Sequence, residues 1–142
     1  MGARRSLCAC PRNQITLFIS MPKILLIEDI PDNVELVHRA LSRTDYEISY
    51  SNDAETGMAM ALKIIPDLIL LDLGLPDYDG QTLASWLRQE ETLSKTKIVV
   101  MSAWPEEAVR QVVESYKCDG YIMKPIVKLS NFISQVSSYL EK

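Results

Sequence analysis

The chain has 142 residues, 47% of them apolar and 24% charged, with a formal net charge of -4 and a pI near 5.0. These values suit one globular domain with a single core, and with Lys and Arg scattered they exclude a nucleic-acid binder that works through a basic stripe. No apolar run reaches the ~20 residues that span a bilayer, and a lone histidine, His38, excludes a two-histidine metal site.

Residues 1–20, MGARRSLCACPRNQITLFIS, differ in character from the rest of the chain. A secretory signal fits them poorly, because Pro11, Arg12, Asn13 and Gln14 break the apolar stretch. The opening matches M-G-x-x-x-S through Gly2 and Ser6, a short pattern for acylation. Cys8 and Cys10 have no further Cys or His nearby to complete a metal site. With Cys118 they make an odd, small set that suits a reducing cytoplasm. Met21 directly precedes the first apolar run, so the reading places a working domain at 22–142 and treats 1–21 as a loosely ordered extension.

From Pro22 onward, apolar runs alternate with helical patterns. A strand over 23–27 is followed by a helix over 33–42, started by Asp32 and Glu35 at capping-box spacing, with His38 as a solvated helix residue. Tyr46, Ile48 and Tyr50 alternate with polar residues as a half-buried edge strand does. A second helix over 54–65 starts at Asn52 or Asp53 and stops at Pro66. Leu68 to Leu71 is an unbroken apolar run, the mark of a strand buried on both faces, and Asp72 follows at once. A helix over 81–91 buries Leu83, Trp86 and Leu87. A strand over 97–101 follows, then a helix that begins near Pro105, with Glu106 and Glu107 in its first turn, and ends before Asp119. A strand over 121–123 precedes a last helix with Leu129, Phe132, Ile133, Val136 and Leu140 on its apolar face. Five such βα units predict an α/β fold: a five-stranded parallel, doubly wound sheet covered on both faces by five helices.

Four of the strand runs finish in polar groups: Glu28 and Asp29, Asp72, Ser102, and Lys124. In an open parallel sheet the carboxyl ends of neighbouring strands lie together, and ligands bind in the crevice outside them. Carboxylates converging there suit Mg2+, which takes hard oxygen ligands and keeps several waters. Asp29 and Asp72 are the expected direct ligands, with Glu28 acting through water. The competing reading makes each acid a solvated loop cap.

The stretches ILLIEDIPDN, LILLDLGLPDYDG, VVMSA and GYIMKP resemble, in order and spacing, the motifs of bacterial response-regulator receiver domains, and are similar to the CheY family of single-domain receivers. The resemblance covers residues 22 to 140. It implies the flavodoxin-like strand order 2-1-3-4-5, carried over from the family. It also implies Asp72 as phosphoacceptor, Glu28 and Asp29 as the acidic pair for Mg2+, and the Gly74 backbone carbonyl as a further ligand. By the same likeness Ser102 is the switch hydroxyl, Tyr121 the aromatic switch residue and Lys124 the partner of the phosphoryl group, with a cis bond between Lys124 and Pro125. Gly74 and Trp104 stand where the family varies, leaving phosphate lifetime open.

The resemblance further implies a cytoplasmic phosphorylation switch rather than a conventional enzyme. Its donor is then a sensor histidine kinase or a histidine phosphotransfer protein and its target a downstream protein, while the acidic balance and the lack of a spanning apolar run leave neither nucleic acid nor membrane as an expected partner. The chain ends just after the last helix, so no output domain is expected. The output face is expected on helix four, strand five and helix five. Ser130, Ser134, Gln135, Ser137 and Ser138 leave helix five with little charge, so a monomer or weak dimer is expected, with Arg110 and Lys117 of helix four as the residues on which self-pairing would depend. Two readings from other classes stay open: a Mg2+-dependent phosphohydrolase, which Asp72-Leu73-Gly74 serves poorly for want of a second acid, and a binding module independent of phosphorylation.

Overall fold

A computed structural model of the protein describes residues 21–141. Its five strands are β1 (Lys23–Ile27), β2 (Glu47–Ser51), β3 (Leu68–Asp72), β4 (Lys97–Ser102) and β5 (Gly120–Met123). They form one parallel sheet in the order β2-β1-β3-β4-β5. The helices are α1 (Pro31–Leu41), α2 (Ala54–Ile64), α3 (Gly80–Gln89), α4 (Glu106–Ser115) and α5 (Leu129–Leu140), with a 3-10 turn at Glu91–Leu93. The expectations placed on residues 1–20 lie outside the described residues.

The apolar runs of β1, β3 and β4 are buried on both faces because side chains alternate across a strand. Ile24, Leu26, Leu68, Leu70, Val99 and Met101 point into one core with Val37 and Leu41 of α1 and Phe132 and Val136 of α5. Leu25, Ile27, Ile69, Leu71 and Ile98 point into the other, with α2 and α3. Val100 meets Leu73 with Val109 and Val112 of α4. Each such side chain removed from water contributes roughly 1.5–3 kcal/mol against the entropy of ordering. The connection from β1 goes to β2 on one side and that from β2 crosses to β3 on the other, so the chain reverses direction between β1 and β3. Their carboxyl ends therefore open a crevice.

Helix starts depart from expectation in one place. Asp32 and Glu35 form no capping box; α1 begins two residues earlier, with Pro31 at its first turn and Ile30 as a cap that makes no side-chain hydrogen bond. Pro suits that position because its fixed φ is already helical and its missing N–H is not needed there. Asp53, one of the two residues expected to start the second helix, caps α2 by accepting from the Thr56 N–H at 2.7 Å; α3 is capped by Asp79, which accepts from the Thr82 N–H at 2.8 Å and Thr82 Oγ1 at 2.6 Å. Trp86 is half-buried rather than buried, edge-on to Tyr78 with ring centroids 4.9 Å apart. Lys117 lies beyond α4, in a left-handed conformation with φ 57°. The Lys124-Pro125 bond is cis, as the resemblance implies.

Candidate functional site

At the carboxyl end of β1 the apolar run passes directly into Glu28 and Asp29, and at the end of β3 into Asp72. β1 and β3 are paired neighbours, with Ile27 opposite Leu71, so the three acids come together without any long reach. Gly80 fixes the backbone behind Asp72. A Cβ there would lie 2.7 Å from Leu73 Cα and 2.8 Å from the Asp72 carbonyl oxygen, so only glycine lets α3 start this close to the strand end.

Lys124, just after β5, crosses the end of β4 to reach the acids. Its Nζ donates to Glu28 Oε1 at 2.7 Å and to Asp72 Oδ1 at 2.8 Å. Glu28 is fully buried and Asp72 is 6% exposed. Burial pushes the Glu28 carboxyl above its usual range and the charge of Asp72 adds to that, while Lys124 and the Ile30 N–H pull it back only in part. For Lys124, burial favours the neutral amine. The hydrogen bonds and charges of Asp72 and Glu28 outweigh it and hold the ammonium above its usual range.

One ammonium does not balance this site. Glu28, Asp29 and Asp72 each offer an oxygen within 4.8 Å of the others, and Asp29 Oδ1 is buried with no hydrogen-bond partner. Buried acceptors are nearly always paired, and an unpaired one marks a place for a water, a ligand or an ion. An all-oxygen donor set with excess negative charge can hold a hard metal ion. The Gly74 N–H donates to Asp72 Oδ2 at 3.2 Å, which keeps the β3–α3 loop against the acid.

The other two residues expected at the site have their hydrogen-bond partners elsewhere. Ser102 ends β4, and its Oγ accepts from the Trp104 N–H at 2.9 Å. Tyr121 points toward α4: its hydroxyl donates to Glu106 Oε2 at 2.6 Å and accepts from Arg110 Nε at 3.0 Å. The hydrogen bond from Tyr121 and the charge of Arg110 hold the Glu106 carboxyl below its usual range. In the sequence Glu106 reads only as a first-turn acid, and its i,i+4 spacing to Arg110 is the one signal there for this tether.

A profile of the response regulator receiver domain family matches residues 24–137. The chain is similar to the polar-differentiation response regulator DivK of Brucella anthropi, 28% identical over 121 residues that span 84% of this chain and 98% of that protein. Its fold matches Vibrio cholerae chemotaxis protein CheY4 with a TM-score of 0.78 at 20% identity, over 84% of this chain and 99% of that one. It also matches the Mn(2+)-bound form of response regulator Rcp1 with a TM-score of 0.69 at 26% identity, over 82% and 90%. With the 2-1-3-4-5 sheet and the acids gathered at its switch point, the chain belongs to the response regulator receiver domain family of two-component signalling.

Proposed function

We propose that Asp72 accepts a phosphoryl group from a phosphohistidine on a sensor histidine kinase or histidine phosphotransfer protein, with Mg2+ held beside it, within a receiver that spans 22–142. The observation that carries this reading is the excess of carboxylate over ammonium at the mouth, including the buried, unpartnered Asp29 Oδ1. Asp29 and Asp72 would hold the ion directly, Glu28 through water, and the Gly74 carbonyl would add a ligand. When bound, the ion offsets charge on the phosphoryl oxygens. That Rcp1, a response regulator of the same fold, has a Mn(2+)-bound form supports a divalent cation for this chain.

The chain's own residues do the rest. An Asp72 oxygen forms a bond to phosphorus as the P–N bond breaks, and the electron pair returns to the imidazole nitrogen, which takes up a proton. Lys124, already on Asp72 Oδ1, turns to the phosphoryl oxygens that now carry the charge. Ser102 keeps its hydroxyl proton to donate to one of them. As Ser102 moves, Tyr121 exchanges its outward bonds to Glu106 and Arg110 for an inward position, and the face of α4, β5 and α5 changes with it. The product is a switch that assists its own phosphorylation and hydrolysis, not an enzyme that turns over a substrate pool. A cytoplasmic location belongs to the same proposal, and the free thiol of Cys118 suits a reducing compartment. No helix among the described residues is long and apolar enough to cross a membrane.

Charge on the output face sits on α4, where Glu106, Glu107, Arg110 and Glu114 are exposed, while Ser130, Ser134, Gln135 and Ser138 of α5 offer it no counterpart. The face therefore favours a different protein over a second copy. Incubation with acetyl phosphate and Mg2+, followed by mass measurement, tests the reading: a single phosphoryl adduct is expected, whereas release of many phosphates means a phosphohydrolase and an unchanged mass a binding module. Sedimentation with beryllofluoride tests the face, and a tight dimer lost in Arg110→Ala would overturn it.

A further inference from the structure

The β3–α3 loop from Leu73 to Asp79 is exposed along most of its length, yet hydrogen bonds tie it down at both ends and once in the middle, beside the packing of Leu75 on the α2–α3 core and of Tyr78 on Trp86. At its start the Gly74 N–H is bonded to Asp72 Oδ2, and at its end Gly80 N–H donates to the Leu73 carbonyl at 3.1 Å. The middle tie is Asp77. Its Oδ1 accepts from the Ala54 N–H at 2.8 Å and its Oδ2 from the Glu55 N–H at 3.0 Å, residues 23 and 22 positions earlier in the chain. The start of α2 already has its own cap, since Asp53 takes the Thr56 N–H and its carbonyl takes the Gly57 N–H at 3.0 Å. Asp77 supplies acceptors for the remaining two first-turn donors from a different element.

We infer that Asp77 is a positioning residue for the acidic mouth: by clamping the loop to the start of α2 it holds Gly74 in place against Asp72. Only Leu75 and Pro76 separate Gly74 from Asp77, and the fixed φ of Pro76 leaves little slack between them. The anchor at the far end is equally firm. The β2–α2 turn that carries Ala54 is bonded to the mouth itself, because the Glu28 N–H donates to the Ser51 carbonyl at 2.9 Å and Ser51 Oγ donates to the Asp53 carbonyl at 2.9 Å. Asp77 thus joins the loop after β3 to the turn behind Glu28 and Asp29. Slight burial acts the other way, but the donated N–H bonds keep the Asp77 carboxyl below its usual range, as a working acceptor requires.

The consequence for the metal rests on the proposed function, since it takes the Gly74 carbonyl as a ligand; the clamp itself does not. Two readouts on Asp77→Ala, the milder Asp77→Asn and the control Asp53→Ala separate the two. Hydrogen exchange at the Gly74 amide is expected to quicken by roughly tenfold or more in Asp77→Ala, less in Asp77→Asn, and to stay near the parent in Asp53→Ala. Mn2+ titration, followed by the magnetic resonance signal of the free ion, is expected to show affinity weakened by about tenfold in Asp77→Ala and little changed in Asp53→Ala. Exchange at Gly74 unchanged in Asp77→Ala, or raised as much by Asp53→Ala, would show that Asp77 merely caps a helix and overturn the inference. Faster exchange in Asp77→Ala, alongside a parent protein that binds no Mn2+, would instead uphold the clamp and refute the metal reading.

Discussion

The two ends of the sheet each carry a partly buried ion pair, and they are built on opposite principles. At the amino ends of β4 and β5, Arg88 meets Asp119 at 2.6 Å. Arg88 Nε also donates to the Lys117 carbonyl at 2.7 Å and Nη1 to the Thr96 carbonyl at 3.0 Å, while Asp119 Oδ2 accepts the Ile98 N–H at 2.8 Å. One cation faces one anion, and the fork of the guanidinium matches three acceptors. At the carboxyl ends one ammonium faces three carboxylates, and a buried oxygen of Asp29 is left over. The saturated end fastens α3 and the α4–β5 loop to the sheet. The unsaturated end stores a charge imbalance that a cation or a phosphoryl group can change. Satisfaction of hydrogen bonds, more than burial or pairing, distinguishes the structural end from the functional one.

The largest test of that contrast is Asp72→Asn. It keeps the shape and removes the proposed nucleophile, so the phosphoryl adduct formed with acetyl phosphate is expected to vanish while the circular dichroism stays unchanged. A full adduct persisting in the variant would move the chemistry away from this end. Next comes Lys124→Met, which leaves Glu28 and Asp72 as adjacent buried carboxylates. Urea unfolding in EDTA is expected to show a loss of about 3–5 kcal/mol, the cost of stranding a buried charge. Mg2+ should restore much of it, because the ion takes over the role of the missing ammonium. If Mg2+ restores nothing, the mouth is not short of positive charge.

Arg88→Met sharpens the other side. Thr96 and Lys117 lose a donor to their carbonyls and Asp119 loses its cation, so a loss of about 1–3 kcal/mol is expected. It should be the same in EDTA and in Mg2+, because the pair at the amino end is already balanced. A loss that Mg2+ repairs would couple the two ends and erase the distinction drawn between them.

How much of the molecule is legible in the sequence divides along the same line. Glu28, Asp29, Asp72 and Lys124 can be placed because each ends an apolar run, and parallel strands bring their ends together whatever the loops do. The fold class comes from the same alternation. Illegible are the side chains that reach between distant elements. Tyr121 turns outward because Glu106 and Arg110 of α4 offer it partners. Asp77 looks like one more turn residue until α2 is seen to start beside it. Arg88 looks like a solvated helix residue until the α4–β5 loop is folded onto it. The capping-box spacing at Asp32 and Glu35 misleads for a local reason: Pro31 starts the helix earlier, so the spacing falls inside the helix.

The smallest expected effect lies at Cys118, which sits beside the saturated pair. Burial pushes its thiol up to about 11 from an ordinary 9.0, with Arg88 pulling down and Asp119 adding to the rise. The unfolded chain therefore releases this proton at lower pH than the folded one. The neutral thiol contributes stability that is fully present below pH 9.0 and is lost as pH rises from there toward about 11. Urea unfolding across that window should show the parent losing about 1–2 kcal/mol more than Cys118→Ser, which has no thiol to ionise. Other groups titrate in the same range, but the difference between the two proteins isolates this one. Equal losses would mean that the thiol ionises as freely in the fold as out of it. The amino end would then tolerate an added charge as the mouth does, and the contrast in charge between the two ends would weaken.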